Sequence, residues 1–205
     1  MPIELTNAKV RSAIVKAGIR EPSPGKLHLC GVRGATVGDH NRQIARTDNR
    51  PNRYNDAIIV FGEALEAFCA TTDPGATFTK RPANPKGCAH LEPGGPYFYQ
   101  RGIHRGKRAL VQASGVEIRR DRDRDGVAEL GEPVYRNQRI GLNIHRGAML
   151  RSMGKSGTIA VGSWSAGCQV IVANWWPLFW QHIEDTDQVL FAYYLVQASA
   201  FEWGD

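Results

Sequence analysis

Short apolar stretches separated by turn residues dominate the pattern of hydrophobic and polar positions along the chain. Only two segments have apolar positions at helical spacing. The first covers residues 7–17, with Asn7 as its cap and Gly18 at its end. The second covers 176–184, with Pro177 in its first turn. The apolar stretches predict strands at residues 26–32, 57–61, 110–112, 116–119, 140–145, 158–162, 169–173 and 188–196.

Residues 34–54 and 71–96 lack such a pattern and predict irregular segments or loops. The length of 205 residues favours a single domain. We therefore expect a mostly β domain with a few helices, of the α+β class.

Composition and charge exclude several functional classes. Hydrophobic residues make up 42% of the chain and charged residues 22%, so disorder of the whole chain is excluded. No apolar run reaches the roughly 18 residues of a membrane span. The net charge of +6 favours polyanionic partners, but the basic residues are scattered, so nucleic acid is the weakest alternative.

The four cysteines, Cys30, Cys69, Cys88 and Cys168, show no CxxC spacing, which excludes a standard zinc ribbon or thioredoxin motif. A Cys69–Cys88 disulfide remains open if the protein works outside the cytoplasm. His104 and His182 are interpreted as ordinary surface or packing residues.

Residues 121–132, DRDRDGVAELGE, match the spacing of a calcium-binding loop. Gly126 permits the sharp turn that such a loop needs, and the flanking segments are typical of strands. We expect a structural Ca²⁺ here, with a solvated acidic loop paired with nearby arginines as the alternative. The expected ligands are Asp121, Asp123, Asp125, Val127 through its carbonyl, Glu129 and Glu132.

A histidine and a cysteine carry the chemical hypothesis. His145 ends an alternating strand and shares a face with Asn143. Downstream, Ser165-Ala166-Gly167-Cys168 forms a small-residue turn before an apolar strand. A thiolate is a nucleophile, and a nearby imidazole lowers its pKa and moves its proton. The N–H groups around Gly167 and Cys168 are expected to face a developing oxyanion.

These two segments resemble the L,D-transpeptidase catalytic domain family, in which a strand-end histidine precedes a Ser-His-Gly-Cys motif. The matching parts are residues 144–147 and 165–168, in the family's order of His before Cys. The resemblance is sharp over 140–173 and looser over 55–200, and it leaves 1–54 as a helix and strand extension of unclear role. It implies a mixed-sheet or β-sandwich catalytic domain.

The resemblance also implies roles for individual residues. Cys168 would attack the peptidoglycan stem peptide before its terminal D-alanine, and His145 would be base and then acid. Ser165 would shape the turn or orient His145, and Gly167 would belong to the catalytic turn. Ala166 and Val170 replace the family's usual His and its frequent Arg or Asn. Recognition of the substrate carboxylate is therefore assigned to Arg146. Asn143 is assigned a substrate contact, and Trp164 is expected either to wall the substrate groove or to pack in the core.

We expect the thioester to pass to water or to a free D-amino acid rather than to a cross-link. The chain shows no signal peptide, so a cell-wall enzyme would reach its substrate by phage lysis or by a secretion machine. A hydrolase with the same dyad is one alternative. A calcium-braced cell-wall-binding or virion structural module, in which Cys168 is inert, is the other. The sequence gives no oligomeric state.

Overall fold

A computed structural model describes residues 1–149 and 159–204. The described chain is mostly β, which confirms the expected class. Its helices are α1 (Asn7–Lys16), α2 (Ala76–Lys80) and α3 (Trp176–Glu184), with a short 3₁₀ turn at Ala198–Ala200. Its strands are β1 (Ile3–Glu4), β2 (His28–Arg33), β3 (Ala35–Val37), β4 (Gln43–Arg46), β5 (Asp56–Phe61), β6 (Glu66–Thr71), β7 (Cys88–Leu91), β8 (Gly94–His104), β9 (Lys107–Gln112), β10 (Val116–Asp121), β11 (Val134–Gln138), β12 (Ile144–Arg146), β13 (Gln169–Ile171) and β14 (Leu190–Gln197).

Eight of these strands form a closed barrel in the order β12-β13-β6-β5-β2-β14-β8-β9. The expected sandwich is therefore wrong, because β12 pairs with β13 on one side and with β9 on the other and so closes the sheet. The expected mixed sheet is confirmed, since β12–β13 and β14–β2 are parallel pairs among antiparallel ones. Two three-stranded sheets, β1-β4-β3 and β11-β10-β7, lie beside the barrel.

The central barrel strands are buried on both faces. Successive residues of β5 alternate between two hydrophobic clusters, with Ile58 in one and Ile59 in the other. Helix α1 contributes Val10 and Ile14 to the first cluster, whereas α3 contributes Phe179 to the second. This double burial explains the near-continuous apolar sequence of β2, β5 and β14.

The helices and several strands follow the sequence pattern closely. Helix α3 has the predicted bounds, and α1 differs only at its ends. Thr6, rather than Asn7, caps α1, because its hydroxyl accepts the N–H of Lys9 while the Asn7 side chain binds the backbone of Gly62.

The segments predicted as loops contain more structure than expected. Residues 34–54 hold β3 and β4, and residues 71–96 hold α2 and β7. These elements are too short to give a periodic pattern. The predicted strand at 140–145 begins only at Ile144. The prediction for 158–162 falls partly outside the described residues, and within them Ala160 forms an isolated bridge with Arg53.

Residues 1–54 contribute β2, which pairs with both β5 and β14 inside the barrel. Among the described residues, no helix is both long and apolar enough to cross a bilayer.

Candidate active site

Three distant segments of the chain bring two histidines and a cysteine together. His104 ends β8, His145 is the middle residue of β12, and Cys168 directly precedes β13. The Cys168 Sγ and one ring nitrogen from each histidine all lie within 4.8 Å of one another. The closure of the barrel produces this arrangement, because β12 pairs with β9 of the β8–β9 hairpin and with β13.

A tight turn presents Cys168. The Ser165 hydroxyl accepts the N–H of Gly167 at 3.1 Å and donates to the Cys168 carbonyl at 2.7 Å. Gly167 has a φ of +123°, and a Cβ there would lie 2.4 Å from the Ala89 carbonyl oxygen. Only glycine therefore fits at this position.

These bonds correct one expectation and decide between two alternatives for another residue. The Gly167 N–H is bound to Ser165, so it is not free to face an oxyanion. Ser165 is fully buried and its hydroxyl bonds only within the turn, so among the described contacts its role is to shape the turn rather than to orient His145.

His145 is a buried, neutral imidazole. Its Nδ1 donates to the Arg146 carbonyl at 2.9 Å, because a carbonyl oxygen can only accept. The lone pair of the neutral ring is therefore on Nε2. Burial is the main cause that lowers the pKa of His145 to about 4, and the neighbouring His104 and Arg105 lower it further. The ring thus stays in its basic form well below neutral pH.

The Cys168 thiol is protonated in this resting arrangement. It donates to the Gly141 carbonyl at 3.6 Å, and its sulfur accepts the N–H of Asn143 at 3.4 Å. Burial raises the pKa of Cys168. The expectation that His145 lowers this pKa is wrong, since a buried neutral imidazole supplies no positive charge.

His104 is a site residue that sequence reasoning missed. Its ring stacks on His145 with centroids 4.6 Å apart, and its Nδ1 lies 3.0 Å from the Asn143 Nδ2. The missed signal was Arg105-Gly106 between two alternating stretches, which is typical of a two-residue hairpin turn. Both residues have positive φ, as such a turn requires.

The Asn143 side chain, predicted to contact substrate, has two partners within the protein among the described residues. Its side chain is buried and joins the Gln112 N–H, at 3.0 Å, to His104. Its role in the described structure is to position the hairpin and the His104 ring beside the thiol.

A cavity of about 250 Å³ opens at the two histidines. The exposed indole of Trp164 lies against it. Three cationic side chains line it, and within the described ranges none of them is in an ion pair with a carboxylate. Its lining residues are His104, Arg105, Lys107, His145, Arg146, Ser163 and Trp164. The cavity therefore suits an anionic ligand.

The other three cysteines are buried and free, so the Cys69–Cys88 disulfide is absent. Cys69 contacts the Thr36 hydroxyl and the Tyr54 carbonyl, and Cys88 donates to the Ala166 carbonyl. Burial raises the pKa of Cys69 to about 11 and that of Cys88 to about 12. These thiols pack the fold rather than serve as nucleophiles.

The acidic loop lies between β10 and β11, as predicted. The Asp121 carboxylate is buried and accepts the N–H groups of Arg124 and Gly126. Carboxylates of Asp121, Asp123 and Glu132 come within 4.8 Å of one another, as do those of Asp123, Asp125 and Glu129. Val127 donates its N–H to Asp125. Oxygens at this spacing are suitable ligands for Ca²⁺.

No family model, curated protein or solved structure matches this chain.

Proposed function

We propose that the protein is a cysteine acyltransferase or peptidase of L,D-transpeptidase type, acting on peptidoglycan stem peptides. The observation that carries this proposal is the approach of Cys168 to His145 beside a cationic cavity. The motif resemblance at 144–147 and 165–168 supplies the substrate class and the scissile bond. The mixed sheet and the order of His before Cys support the same assignment.

The neutral pair reacts by general-base catalysis rather than as a preformed ion pair. His145 Nε2 takes the thiol proton as Sγ forms a bond to the carbonyl carbon that precedes the terminal D-alanine. The tetrahedral intermediate collapses, the C–N bond breaks, and His145 returns the proton to the departing amine. A thioester on Cys168 and free D-alanine result.

The second half of the reaction releases the enzyme. Water or the amine of a D-amino acid attacks the thioester carbon, and His145 takes a proton from the attacking group. The C–S bond breaks, and the proton returns to the Cys168 sulfur. In the resting arrangement the thiol bonds to Gly141, so it must turn towards His145 before the first step.

The cationic side chains of the cavity provide recognition of the substrate carboxylate. Arg146 was the predicted contact, and Arg105 and Lys107 line the same cavity. Arginine pairs bidentately with a carboxylate, such as that of a terminal D-alanine. This arrangement compensates for Val170, which replaces the family's frequent Arg or Asn.

The acidic loop is assigned a structural Ca²⁺, held by carboxylates of 121–132. The cell wall or periplasm is the proposed place of action, because the proposed substrate is there. The proposal includes no nucleic-acid partner.

The test is digestion of purified tetrapeptide muropeptides, followed by mass spectrometry, with and without a free D-amino acid. We expect loss or exchange of the terminal D-alanine and unchanged glycan strands. Cys168→Ala should lower the rate by about 10⁶ or to the detection limit. His145→Ala should retain at least as much activity as Cys168→Ala, because a thiol is a few per cent ionised near neutral pH.

Cys69→Ala is the matched control, since Cys69 is a second buried thiol whose side chain contacts Thr36 and Tyr54 rather than the turn that presents Cys168. It should keep the activity of the wild type. Unchanged tetrapeptides after long incubation with Ca²⁺, or full activity of Cys168→Ala, would contradict the proposal and favour the calcium-braced binding module.

A further inference from the structure

We infer that His104 is a third catalytic residue, a neutral N–H donor that stabilises the negative charge on the Cys168 sulfur while His145 holds the thiol proton. The inference deepens the proposed function and rests on it for the identity of the reaction. In this chain Ala166 occupies the position of the family's second histidine, so the turn itself supplies no imidazole. His104 brings one to the same sulfur from another strand.

The hydrogen bonds fix which nitrogen of His104 carries the proton. The Gln112 backbone N–H can only donate, so the Asn143 side-chain atom that it meets at 3.0 Å must be the oxygen. The Asn143 amide nitrogen then points at His104 Nδ1, also at 3.0 Å. Because an amide nitrogen only donates, Nδ1 must accept, and the proton of the neutral ring is on Nε2.

The two stacked rings therefore have opposite roles. The Arg146 carbonyl keeps the proton of His145 on Nδ1 and leaves its Nε2 as an acceptor. Asn143 keeps the proton of His104 on Nε2 and makes that nitrogen a donor. One ring nitrogen of each histidine lies within 4.8 Å of Sγ. Because the two Nδ1 atoms are bonded to Asn143 and to the Arg146 carbonyl, we assign the two Nε2 atoms to the sulfur, that of His145 as the proton acceptor and that of His104 as the donor.

The surroundings keep His104 neutral. Burial and the nearby Arg105 both lower its pKa. Among residues 1–149 and 159–204, its partners are Asn143 and the His145 ring, and no carboxylate lines the adjoining cavity. A neutral donor suits this site, because a charged ring at 4.6 Å would oppose the protonation of His145.

The site needs such a donor because the sulfur is buried. A thiolate at a site that is only 8% exposed has little water to stabilise it. The Asn143 N–H is one donor to the sulfur, and the Gly167 N–H is bound to Ser165. His104 Nε2 supplies a second donor as the proton leaves Sγ.

The first test measures the tautomers directly and needs no substrate. Long-range ¹⁵N–¹H spectra of [¹⁵N]histidine-labelled protein at neutral pH should show His104 protonated at Nε2 and His145 protonated at Nδ1. Single His→Gln variants provide the assignments. A His104 ring with its proton on Nδ1 would overturn the inference.

The second test measures alkylation of Cys168 by iodoacetamide, located by peptide mass spectrometry. His104→Phe retains a ring for stacking but has no N–H, and should slow alkylation about ten- to a hundredfold. His104→Gln places an amide N–H near the position of Nε2 and should restore most of the rate. His104→Asn, whose amide is nearer to Nδ1, should not.

Circular dichroism melting of each variant distinguishes the effect of losing the His104 N–H donor from the effect of unfolding. Equal alkylation rates for folded His104→Phe and the wild type would overturn the inference. So would a purified protein that contains zinc and whose alkylation speeds up when the zinc is chelated, since His104 would then be a metal ligand. Because neither readout uses muropeptides, the inference can survive a negative digestion assay, and that assay can succeed without it.

Discussion

Lowering the pH should destabilise this protein through His145 alone by a measurable amount. The ordinary histidine pKa is 6.5, and burial lowers that of His145 to about 4 in the folded chain. As the pH falls below 6.5, the unfolded chain takes up a proton on this residue before the folded chain does. The contribution of the buried neutral ring to the free energy of unfolding is therefore complete above the ordinary pKa. It is lost as the pH falls towards 4.

The magnitude follows from the two pKa values. A difference of about 2.5 between them corresponds to about 3 kcal/mol in the free energy of unfolding. This is a large fraction of the 5–15 kcal/mol that is typical of a folded domain.

Urea unfolding at pH 7, 6, 5 and 4 measures the effect, with His145→Gln as the perturbation. The free energy of unfolding of the wild type should fall about 3 kcal/mol further than that of the variant between pH 7 and 4. His40→Gln removes an exposed histidine and serves as the control. Parallel pH profiles for the wild type and His145→Gln would refute the reasoning, because the pKa of His145 would then be the same in the folded and unfolded chain.

Two further perturbations test the acidic loop and the turn. EDTA should lower the melting temperature of a Ca²⁺-saturated sample, because a cation at 100 times its dissociation constant stabilises by about 2.7 kcal/mol. In Asp121→Ala/Asp125→Ala the melting curves with and without EDTA should coincide. If EDTA leaves the wild-type curve unchanged, the loop is an acidic turn that does not bind Ca²⁺. Gly167→Ala should destabilise by about 1–3 kcal/mol and slow Cys168 alkylation, because its Cβ would meet the Ala89 carbonyl. Gly204→Ala, which has open space around it, is the control, and equal stability of the two variants would contradict the steric argument.

Long apolar patterns made much of the secondary structure predictable. The helix at 176–184 and the strand at 57–61 have strong periodicity or continuous apolar residues, and both are present. The barrel was not predictable in this way, because its closure depends on β12, a strand of three residues. A strand this short has no period to detect.

The site was predictable only as far as local sequence specifies it. Gly167 and Cys168 lie in a turn whose small residues are visible in the sequence. The meeting of His104 with His145 depends on pairing between β9 and β12, which are more than 30 residues apart in the chain. The pKa of Cys168 depends on its burial, and local sequence does not give burial.

The three-residue strand β12 closes the barrel by pairing with β13 and β9, and it also contains His145. The cavity beside β12 is lined by the β8–β9 hairpin, by β12 itself and by the segment that leads to Cys168. A ligand that contacts all three segments would stabilise the pairing of β12 with its neighbours, so its binding free energy would add directly to the stability of the barrel. Ligand binding in this cavity and folding of the barrel are therefore thermodynamically linked. A thermal-shift screen would thus detect ligands of this cavity without any knowledge of the reaction.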